Sequence, residues 1–586
     1  MHRSKRRSQQ PSIRKAGNSS LPPEVHRLFL QAVAHHQAKR FTQAEDQYNR
    51  ILTQFPSHAD TLHLRGLLAY QQEQNSLALT YIKQAIAENS GKPHYPYNLG
   101  LVFEKEERWE DAIAAYQQAL IVNPQYVEAL ANLGNVYRRQ RQWIDAITTL
   151  QQALQLKPQS ADLHNALGVT YKEQGERENA LRHYQQALQL SPHHAEALNN
   201  MGVVLQDQGK LDKAAEAFQK ALTIKPEYAN AHYHLGLIRL WQGNDSQALA
   251  CFHRSGDLTH NHGHGVAPLF VTKARVKHDF EQLQYLTAQV STRLISNNYR
   301  HALTNVYQRL SQSSPDSMFM KLSVQEQSQL ASSFNRFLYI RPTSRLDIHA
   351  INPQLDVSAI ETQYCSTTPE VMCVDGLLTE KALSEIRAFC LESTIWKRDY
   401  PNGYIGTFLA HGFACPLLLQ IAEELRTRFP RIFQHHQLQQ AWAFKHDSAL
   451  RGLNMHADAA AVNVNFWITP NEANRNPESG GLVVWNKEAP DDWDFVEYNN
   501  DKNKHKIQTF LEESGAQPIN IPHRQNRAVI FNSNLFHQTD IVEFQDIYEC
   551  RRINITLLYG HRQQSRQSGA TRRTKEDERR VLKKND

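Results

Sequence analysis

Residues 127–160 read VEALANLGNVYRRQRQWIDAITTLQQALQLKPQS, and the spacing of this stretch recurs along the first half of the chain. On a 34-residue grid, one phase is occupied by Gly66, Gly100, Gly134, Gly168, Gly202 and Gly236. A second phase holds Ala44, Ala78, Ala112, Ala146, Ala180, Ala214 and Ala248, and a third holds Pro56, Pro124, Pro158, Pro192 and Pro226. Small residues let paired helices touch closely, and proline ends a helix before the next begins. The period therefore predicts stacked helical hairpins.

This period and pattern resemble the tetratricopeptide repeat, and the resemblance covers residues 23–264 as seven repeats. It implies an all-α superhelix that binds a protein or peptide on its concave face. Asn98, Asn132 and Asn200 stand two residues before a repeat glycine, a position that faces the groove in such arrays. Each amide offers a donor and an acceptor to a peptide backbone, so these residues are candidate partner-binding groups. The alternative is that asparagine only fills a polar groove face.

The positive charge of the chain is concentrated at its two ends. Residues 1–20 and 561–586 carry +6 and +5, against +6 for the whole chain, so the residues between them carry −5. Such short basic segments predict disordered tails at 1–22 and 563–586, and the acidic body disfavours nucleic-acid binding. The sequence has no run of 18 uninterrupted apolar residues, so no membrane-spanning helix is expected. Six scattered cysteines indicate a reduced, cytoplasmic setting.

The period changes after about residue 366, behind a helical connector predicted over 265–365. Short β-rich runs bounded by turn residues follow at 440–445, 462–469, 482–485, 528–531 and 553–559. Amphipathic spacing at 380–390 and 417–428 indicates helices among them. The sequence therefore predicts an α+β domain over 366–562 that consists mostly of sheet, and a multidomain chain as a whole.

A candidate metal site lies in this second half. His456-Ala457-Asp458 is expected to open one of these strands, and residues i and i+2 of a strand lie on one face. His58-Ala59-Asp60 has the same spacing, so the pair alone is weak evidence. His537 follows the run that begins at Arg527, which we read as one strand ending at the histidine. Two histidines and one carboxylate leave coordination positions open, as in non-haem Fe(II) oxygenases.

Arg552 completes the set, because a guanidinium at the start of the last run can pair with the far carboxylate of a dicarboxylic cosubstrate. Arg551 is the rival for this role. The order H-x-D, His and Arg resembles the Fe(II)/2-oxoglutarate-dependent dioxygenases, which fold as a double-stranded β-helix or jelly roll. The flanking segments 467–470 and 477–482 are similar to an oxygenase domain that occurs joined to tetratricopeptide arrays.

The resemblance implies catalytic Fe(II) on His456, Asp458 and His537, with 2-oxoglutarate on Arg552, O2 as the oxidant and ascorbate as a candidate reductant. Asn465 and Thr556 alternate with apolar residues on their strands, so they are candidate 2-oxoglutarate contacts on an inner face. Tyr404 and Trp485 are candidates to line the mouth of the site, with a plain core role as the alternative.

The expected function is that of an oxidoreductase that hydroxylates a protein or peptide recruited by the array. Two alternatives stay open, a small-molecule oxygenase with the array as a scaffold and a non-catalytic binding scaffold. The sequence identifies neither the substrate nor the oligomeric state. The His-rich segment His260, His262 and His264 is read as an interdomain loop rather than a metal site.

Overall fold

The computed structural model describes residues 22–261, 267–289, 295–312, 317–400, 402–450, 455–490, 493, 498–499 and 504–561. The chain forms two compact units, residues 1–224 and 225–586. The predicted tails lie outside the described residues, apart from Pro22, and so do His262 and His264.

The described part of the first unit is all-helical, and consecutive helices pack as hairpins. Its helices are α1 (Pro23–Gln37), α2 (Phe41–Gln54), α3 (Ala59–Gln71), α4 (Asn75–Glu88), α5 (His94–Lys105), α6 (Trp109–Val122), α7 (Val127–Arg139), α8 (Trp143–Leu156), α9 (Ala161–Gln174), α10 (Arg177–Leu190), α11 (Ala195–Asp207) and α12 (Leu211–Ile224).

The periodic glycines and alanines lie where the two helices of a repeat touch. The repeat alanines of this unit are fully buried. A Cβ on Gly100 would lie 2.5 Å from the Tyr116 ring, and one on Gly168 would lie 2.5 Å from the Tyr184 ring. Each glycine thus makes room for a side chain sixteen residues later, on the second helix of the same repeat. The prediction of closely paired helices is confirmed.

The second unit begins with the hairpin of the last repeat and continues into a mixed region. Its helices are α13 (Ala229–Trp241), α14 (Asp245–His260), α15 (Lys273–Gln289), α16 (Asn297–Gln308), α17 (Val324–Leu330), α18 (Val357–Ser366), α19 (Glu380–Glu392), α20 (Pro416–Arg428), α21 (Pro430–Phe433) and α22 (Lys504–Glu513). Its strands are β1 (Phe270–Thr272), β2 (Phe319–Lys321), β3 (Val371–Asp375), β4 (Arg398–Tyr400), β5 (Tyr404–Phe408), β6 (Leu438–His446), β7 (Ala449–Leu450), β8 (Val462–Trp467), β9 (Leu482–Glu488), β10 (Pro518–Ile521), β11 (Arg527–Asn532), β12 (Leu535–Thr539), β13 (Val542–Glu543) and β14 (Ile553–Tyr559).

Two antiparallel sheets dominate this unit. One has seven strands in the order β3-β11-β8-β14-β6-β5-β4, and the other has three in the order β10-β9-β12. The pairs β1-β2 and β7-β13 stand apart from them. The predicted β-rich region is therefore confirmed, while the two short strands β1 and β2 in the predicted helical connector were not foreseen.

The two faces of the seven-stranded sheet differ in their packing. On one face, Val464 and Phe466 of β8 join the main core of the unit with residues of α19 and α20. On the other face, Trp467 of β8 and Val529 of β11 share a core with the three-stranded sheet, including Val484 of β9. Since side chains alternate along a strand, Asn463 and Asn465 lie on this second face, between the sheets.

The chain around the candidate metal ligands differs from the predicted strands in two places. His456 is not the start of a strand, since it makes only an isolated bridge with His537. The segment from Arg527 to His537 is not one strand either. It turns between β11 and β12, where the backbone N–H of Asn534 donates to Asn532 Oδ1 at 3.0 Å. A local side-chain acceptor of this kind favours a turn over continued pairing.

The last repeat, α13 and α14, is joined to the sheet region by hydrogen bonds. Trp241 Nε1 donates to the Leu438 carbonyl at 2.7 Å, and the Tyr233 hydroxyl donates to the Gln439 carbonyl at 3.3 Å. The boundary between the compact units accordingly falls at residue 224, one repeat before the predicted end of the array at 264. None of the described helices is long and apolar enough to cross a membrane.

Candidate metal centre and anion site

The three predicted metal ligands meet at one place in the second unit. His456 and His537 exchange backbone hydrogen bonds of 3.0 and 2.8 Å, and the Asp458 N–H donates to the Ser533 carbonyl at 3.0 Å. The turn after β11 and the strand β12 thus hold the segment that contains His456 and Asp458. One ligand atom from each of His456, Asp458 and His537 lies within 4.8 Å of the others.

The side chains converge from two sides on the Asp458 carboxylate. His456 Nε2 lies 3.9 Å from Asp458 Oδ1, and His537 Nε2 lies 3.4 Å from Oδ2. The His456 side chain is 41% exposed, against 11% for Asp458 and 4% for His537. The centre therefore opens to solvent on the side of His456, where a substrate could approach.

The protonation of these groups suits metal binding. His537 Nδ1 donates to the Leu535 carbonyl at 3.0 Å, so in the neutral ring the lone pair is on Nε2, where a metal would take it. Such a bond fixes the tautomer of a metal-binding histidine. Without a metal, burial alone would raise the pKa of the Asp458 carboxyl, but a hydrogen bond from protonated His537 and the positive charges of both imidazolium rings hold that pKa below its usual range. The carboxylate is therefore ionised at neutral pH.

Asn463 takes part in the centre although no motif pointed to it. Its Nδ2 donates to Asp458 Oδ2 at 2.7 Å. The contact fixes the carboxylate from the inner face of β8. Asn465 lies two positions further along the same strand, and its Nδ2 donates to Thr556 Oγ1 at 3.1 Å. The two predicted cosubstrate contacts, Asn465 and Thr556, therefore lie side by side.

Arg552 is a buried cation at the end of this inner face, 1% exposed. Its guanidinium donates to the carbonyls of Gly480 and Gly481, at 2.5 and 3.0 Å, and to Asn554 Oδ1 at 3.0 Å. Among the described residues no carboxylate pairs with it, and burial lowers the pKa of Arg552 to about 9 despite the charge of Asp540. A desolvated guanidinium in this condition is a candidate site for an anion.

Buried donors without hydrogen-bond partners surround Arg552. Its Nη1 lies 3.2 Å from His446 Nδ1, which must accept because arginine can only donate. The proton of His446 is then on Nε2. This atom, Trp467 Nε1 and both nitrogens of His523 have no hydrogen-bond partner among the described residues. The Arg552 guanidinium carbon lies 5.8 Å from the Trp467 ring centroid. Burial and the nearby Arg552 charge lower the pKa of His523 to about 3.

Arg551, the alternative to Arg552, is occupied elsewhere. Its guanidinium donates to Glu281 at 2.6 and 2.8 Å and also contacts Asp447. These carboxylates belong to α15 and to the loop after β6, on the other side of the strand. Arg551 therefore ties the connector to the sheet, and Arg552 is the arginine left for an anion.

Other residues that the sequence singled out make contacts within the fold. His58 caps α3, since its side chain accepts from the Thr61 N–H, and Asp60 accepts from the Tyr95 hydroxyl at 2.5 Å. This H-x-D triplet is therefore part of the array. His260 Nε2 lies 3.3 Å from His411 Nδ1. Trp485 packs in an aromatic cluster near Phe536.

The three groove asparagines each contact the preceding repeat. Asn98 Nδ2 lies 2.8 Å from His63 Nε2, Asn132 Nδ2 donates to the Tyr97 hydroxyl at 3.2 Å, and Asn200 Nδ2 donates to Asn165 Oδ1 at 3.1 Å. Each bond spans 35 residues, so the amides link neighbouring repeats. A partner-binding role for them stays a prediction.

Sequence reasoning missed Asn463, His446, His523, Trp467 and the Gly480-Gly481 pair. For the glycines, the Gly-Gly pair in the sequence was itself a signal of a backbone that side chains do not fit. In the structure Gly480 has φ +78°, and a Cβ on Gly481 would lie 1.8 Å from the Ile521 carbonyl oxygen. Side-chain-free backbone is needed here so that both carbonyls can reach Arg552. Asn463 and Trp467 lie on β8 two positions either side of Asn465, so strand alternation was the available signal for them. His446 ends β6 and His523 lies between β10 and β11, and no spacing along the chain connects these two.

Comparison with known proteins covers the helical half of the chain. Tetratricopeptide repeat family models match residues 63–120, 100–141, 134–175, 159–227 and 205–262. No curated protein matches the chain. Among solved structures, a tetratricopeptide repeat protein from Parabacteroides merdae is 18% identical, with a TM-score of 0.37, over 41% of this chain and 95% of that one.

Two further solved structures share the repeat. MamA is 29% identical over 28% of this chain and 95% of that chain, with a TM-score of 0.25. YrrB, described as a TPR protein with an unusual peptide-binding site, is 26% identical over 31% of this chain and 93% of that chain, also with a TM-score of 0.25. The first 260 or so residues of this chain are accordingly an array of tetratricopeptide repeats.

Proposed function

We propose that the second unit is an Fe(II)- and 2-oxoglutarate-dependent oxygenase that hydroxylates a protein or peptide bound by the repeat array. The observation that carries the proposal is the pairing of a His-Asp-His centre with a buried arginine that lacks a carboxylate partner among the described residues. A metal site and a separate anion site on one inner face suit a cosubstrate with two acidic ends.

The donor set fits iron. Two imidazole nitrogens and one carboxylate oxygen are the ligands of the facial triad, which leaves positions open for other ligands. His456, Asp458 and His537 would hold the ion, with Asn463 and the Leu535 carbonyl orienting two of them. The presence of Asp458 leaves no vacancy for a halide in place of the carboxylate.

The surroundings of Arg552 fit the far carboxylate of 2-oxoglutarate. Trp467 Nε1 and His446 Nε2 are buried donors without a partner among the described residues, and such a donor costs free energy until a ligand satisfies it. Arg552 adds its positive charge beside them. Asn465 and Thr556 lie between this site and Asp458 along the inner face. The cosubstrate would lie along β8, with one end at each site.

The strand orders support a double-stranded β-helix. Four neighbouring strands, β11-β8-β14-β6, form the centre of the larger sheet, and β10-β9-β12 continues through the His456 bridge as the opposed sheet. The chain passes between the two sheets at every step from β8 to β12 except between β9 and β10. This alternation is typical of a jelly roll.

The residues of the chain have separate roles in such a reaction. When bound, iron and 2-oxoglutarate together supply the O2 chemistry that oxidises a C–H bond, with release of succinate and CO2. The protein holds the three ligands, keeps Asp458 ionised and excludes water from the Arg552 end. The exposed side of His456 admits the substrate.

Succinate formation tests the proposal. Purified full-length protein supplied with Fe(II), ascorbate and O2 is expected to convert 2-oxoglutarate to succinate, and His456→Ala is expected to lose both iron and turnover. A wild-type protein that binds iron yet forms no succinate, even with proteins captured by its own array, would leave the non-catalytic scaffold as the function. Unchanged turnover in an Asn98/Asn132/Asn200→Ala triple variant would favour a small-molecule substrate.

A further inference from the structure

The segment that carries two of the three candidate metal ligands is held along one edge by β12 and the turn before it. His456 exchanges backbone hydrogen bonds with His537 of β12. The Asp458 N–H donates to the Ser533 carbonyl in that turn. Successive residues of an extended chain direct their N–H and C=O groups to opposite edges. The backbone groups of Ala457, between the two ligands, therefore point away from β12.

The side chain of Asn499 binds this second edge. The Ala457 N–H donates to Asn499 Oδ1 at 3.2 Å, and Asn499 Nδ2 donates to the Ala457 carbonyl at 2.9 Å. A carboxamide offers an acceptor and a donor side by side, so it satisfies both groups of Ala457 as a paired residue of a neighbouring strand would. Asn499 lies 42 residues further along the chain, between β9 and α22.

A small hydrophobic core anchors Asn499 beside both ligand segments. The residue before it, Tyr498, is 1% exposed, and its ring lies 5.8 Å from that of Phe536 at an angle of 78°. Phe536 immediately precedes the ligand His537, and the Ala457 side chain belongs to the same core. The side chains that hold Asn499 in place are therefore the ones that pack beneath both segments of the metal centre.

The two bonds of Asn499 act on the peptide groups that join two ligands. The Ala457 N–H belongs to the peptide group shared with His456, and the Ala457 C=O belongs to the one shared with Asp458. This restraint matters most for His456, whose side chain is 41% exposed against 11% for Asp458. Packing holds an exposed imidazole less firmly than a buried one, so its position depends more on the backbone that carries it.

We propose that Asn499 is a positioning residue of the metal centre, and this rests on the proposed function. It sets the separation of His456 and Asp458, whose Nε2 and Oδ1 atoms lie 3.9 Å apart. A histidine and a carboxylate hold one ion firmly when their own partners fix them in the binding geometry. Asn499 acts through Ala457, whereas Asn463 acts on Asp458 directly.

Binding of Co(II) tests the proposal without any turnover. Co(II) accepts the same imidazole and carboxylate ligands as Fe(II), and its d–d absorption reports their geometry. Full-length Asn499→Ala is expected to bind Co(II) roughly 10-fold more weakly than the wild type, as on loss of an outer-shell partner, and to show shifted d–d bands. Wild-type affinity together with wild-type bands in this variant would overturn the proposal.

Asn486→Ala is the matched control. Asn486 follows Trp485 on β9, is half-buried like Asn499, and also binds backbone through its side chain, since its Oδ1 accepts from the Gln517 N–H at 2.8 Å. It makes no bond to the ligand segment, so Co(II) affinity and the d–d bands should stay as in the wild type. An equal loss of affinity in both variants would show a general effect of destabilisation and would overturn the specific role of Asn499.

Hydrogen exchange tests the contact in the wild-type protein, where no variant has to fold. The Ala457 amide is expected to exchange roughly tenfold or more slowly than in an unstructured chain, because its N–H is bonded to Asn499. In Asn499→Ala this protection should be lost, while the His537 amide, which bonds to His456, should keep its protection. An unprotected Ala457 amide in the wild type would overturn the proposal.

The two proposals fail separately. A wild-type protein that binds Co(II), loses affinity in Asn499→Ala and never forms succinate would contradict the oxygenase and support the positioning role. Succinate formation by the wild type, with unchanged Co(II) binding in Asn499→Ala, would overturn the positioning role alone.

Discussion

The side-chain amide of Asn463 donates to Asp458 Oδ2 at 2.7 Å, which leaves Oδ1 on the side of His456. Asn463 is fully buried and belongs to β8, whose other face is packed in the main core. This hydrogen bond fixes Asp458, one of the candidate metal ligands, to a central strand of the sheet.

Replacing Asn463 is therefore expected to weaken iron binding. In Asn463→Ala, Asp458 loses the donor that orients it, and affinity for Fe(II) should fall roughly 10- to 100-fold, as is usual for outer-shell partners of metal ligands. Competition with a chelator of known affinity measures the change. Wild-type iron affinity in a folded Asn463→Ala protein would show that Asp458 needs no such support.

Arg552→Gln is expected to separate cosubstrate binding from metal binding. The change removes the cation and its bidentate fork, so affinity for 2-oxoglutarate should fall by at least about 100-fold. Iron stoichiometry should stay at the wild-type level because the triad is untouched. Quenching of tryptophan fluorescence by the dicarboxylate, with Trp467 near Arg552, provides the measurement. Equal affinity in the variant and the wild type would place the anion elsewhere.

Arg551→Met is expected to act on stability instead. It removes the ion pair of Glu281 and leaves Asp447 with Lys277 alone, in a setting where the Arg551 side chain is 3% exposed. Removing one partner of a buried ion pair costs about 3–5 kcal/mol. Denaturant unfolding measures this loss. A stable Arg551→Met would show that the ion pairs of Arg551 do not hold the connector to the sheet.

Acid should destabilise the second unit partly through His523. Its pKa falls from 6.5 to about 3 in the folded protein because of burial and the nearby Arg552 charge. Above pH 6.5 the imidazole is neutral in both states, so it has no effect there. Between pH 6.5 and about 3 the unfolded chain binds the proton and the folded one does not, so the free energy of unfolding declines by about 1.4 kcal/mol per pH unit. His523→Phe should flatten this slope, as followed by urea unfolding at several pH values.

Gly100→Ala is expected to destabilise the array. The added Cβ would lie 2.5 Å from the Tyr116 ring, and overpacking of this kind costs about 1–3 kcal/mol. Gly91→Ala is the control, because its Cβ would meet nothing nearer than Asn89 Oδ1 at 3.4 Å. Thermal unfolding should separate the two variants, and an equally stable Gly100→Ala would mean that the ring can move aside.

The array could be predicted from the sequence because its contacts join residues that are close together along the chain, and because the same contacts recur from repeat to repeat. Gly100 meets Tyr116 sixteen residues later, and the same distance recurs in each repeat. The candidate metal ligands could be predicted from the order of their residue types along the chain. The turn at Ser533–Asn534 had a signal that the prediction of one strand overlooked, since the Asn-Ser-Asn segment interrupts the apolar residues of 528–536 and such polar clusters favour turns.

The anion site could be predicted only in part. The sequence left Arg551 as the rival of Arg552, and the carboxylates around Arg551 are the physical difference between the two. His446 lies more than one hundred residues before Arg552, and it reaches that residue only through the pairing of β6 with β14. Which distant strands pair depends on the whole sheet, so a local pattern cannot reveal these neighbours.

Trp241 and Tyr233 bond the last repeat to β6, so that repeat belongs to the compact unit that contains the sheets. Duplication or loss of earlier repeats would leave this junction unaltered. The reach and partner choice of the array could then change over evolutionary time, while the chemistry behind it was inherited intact.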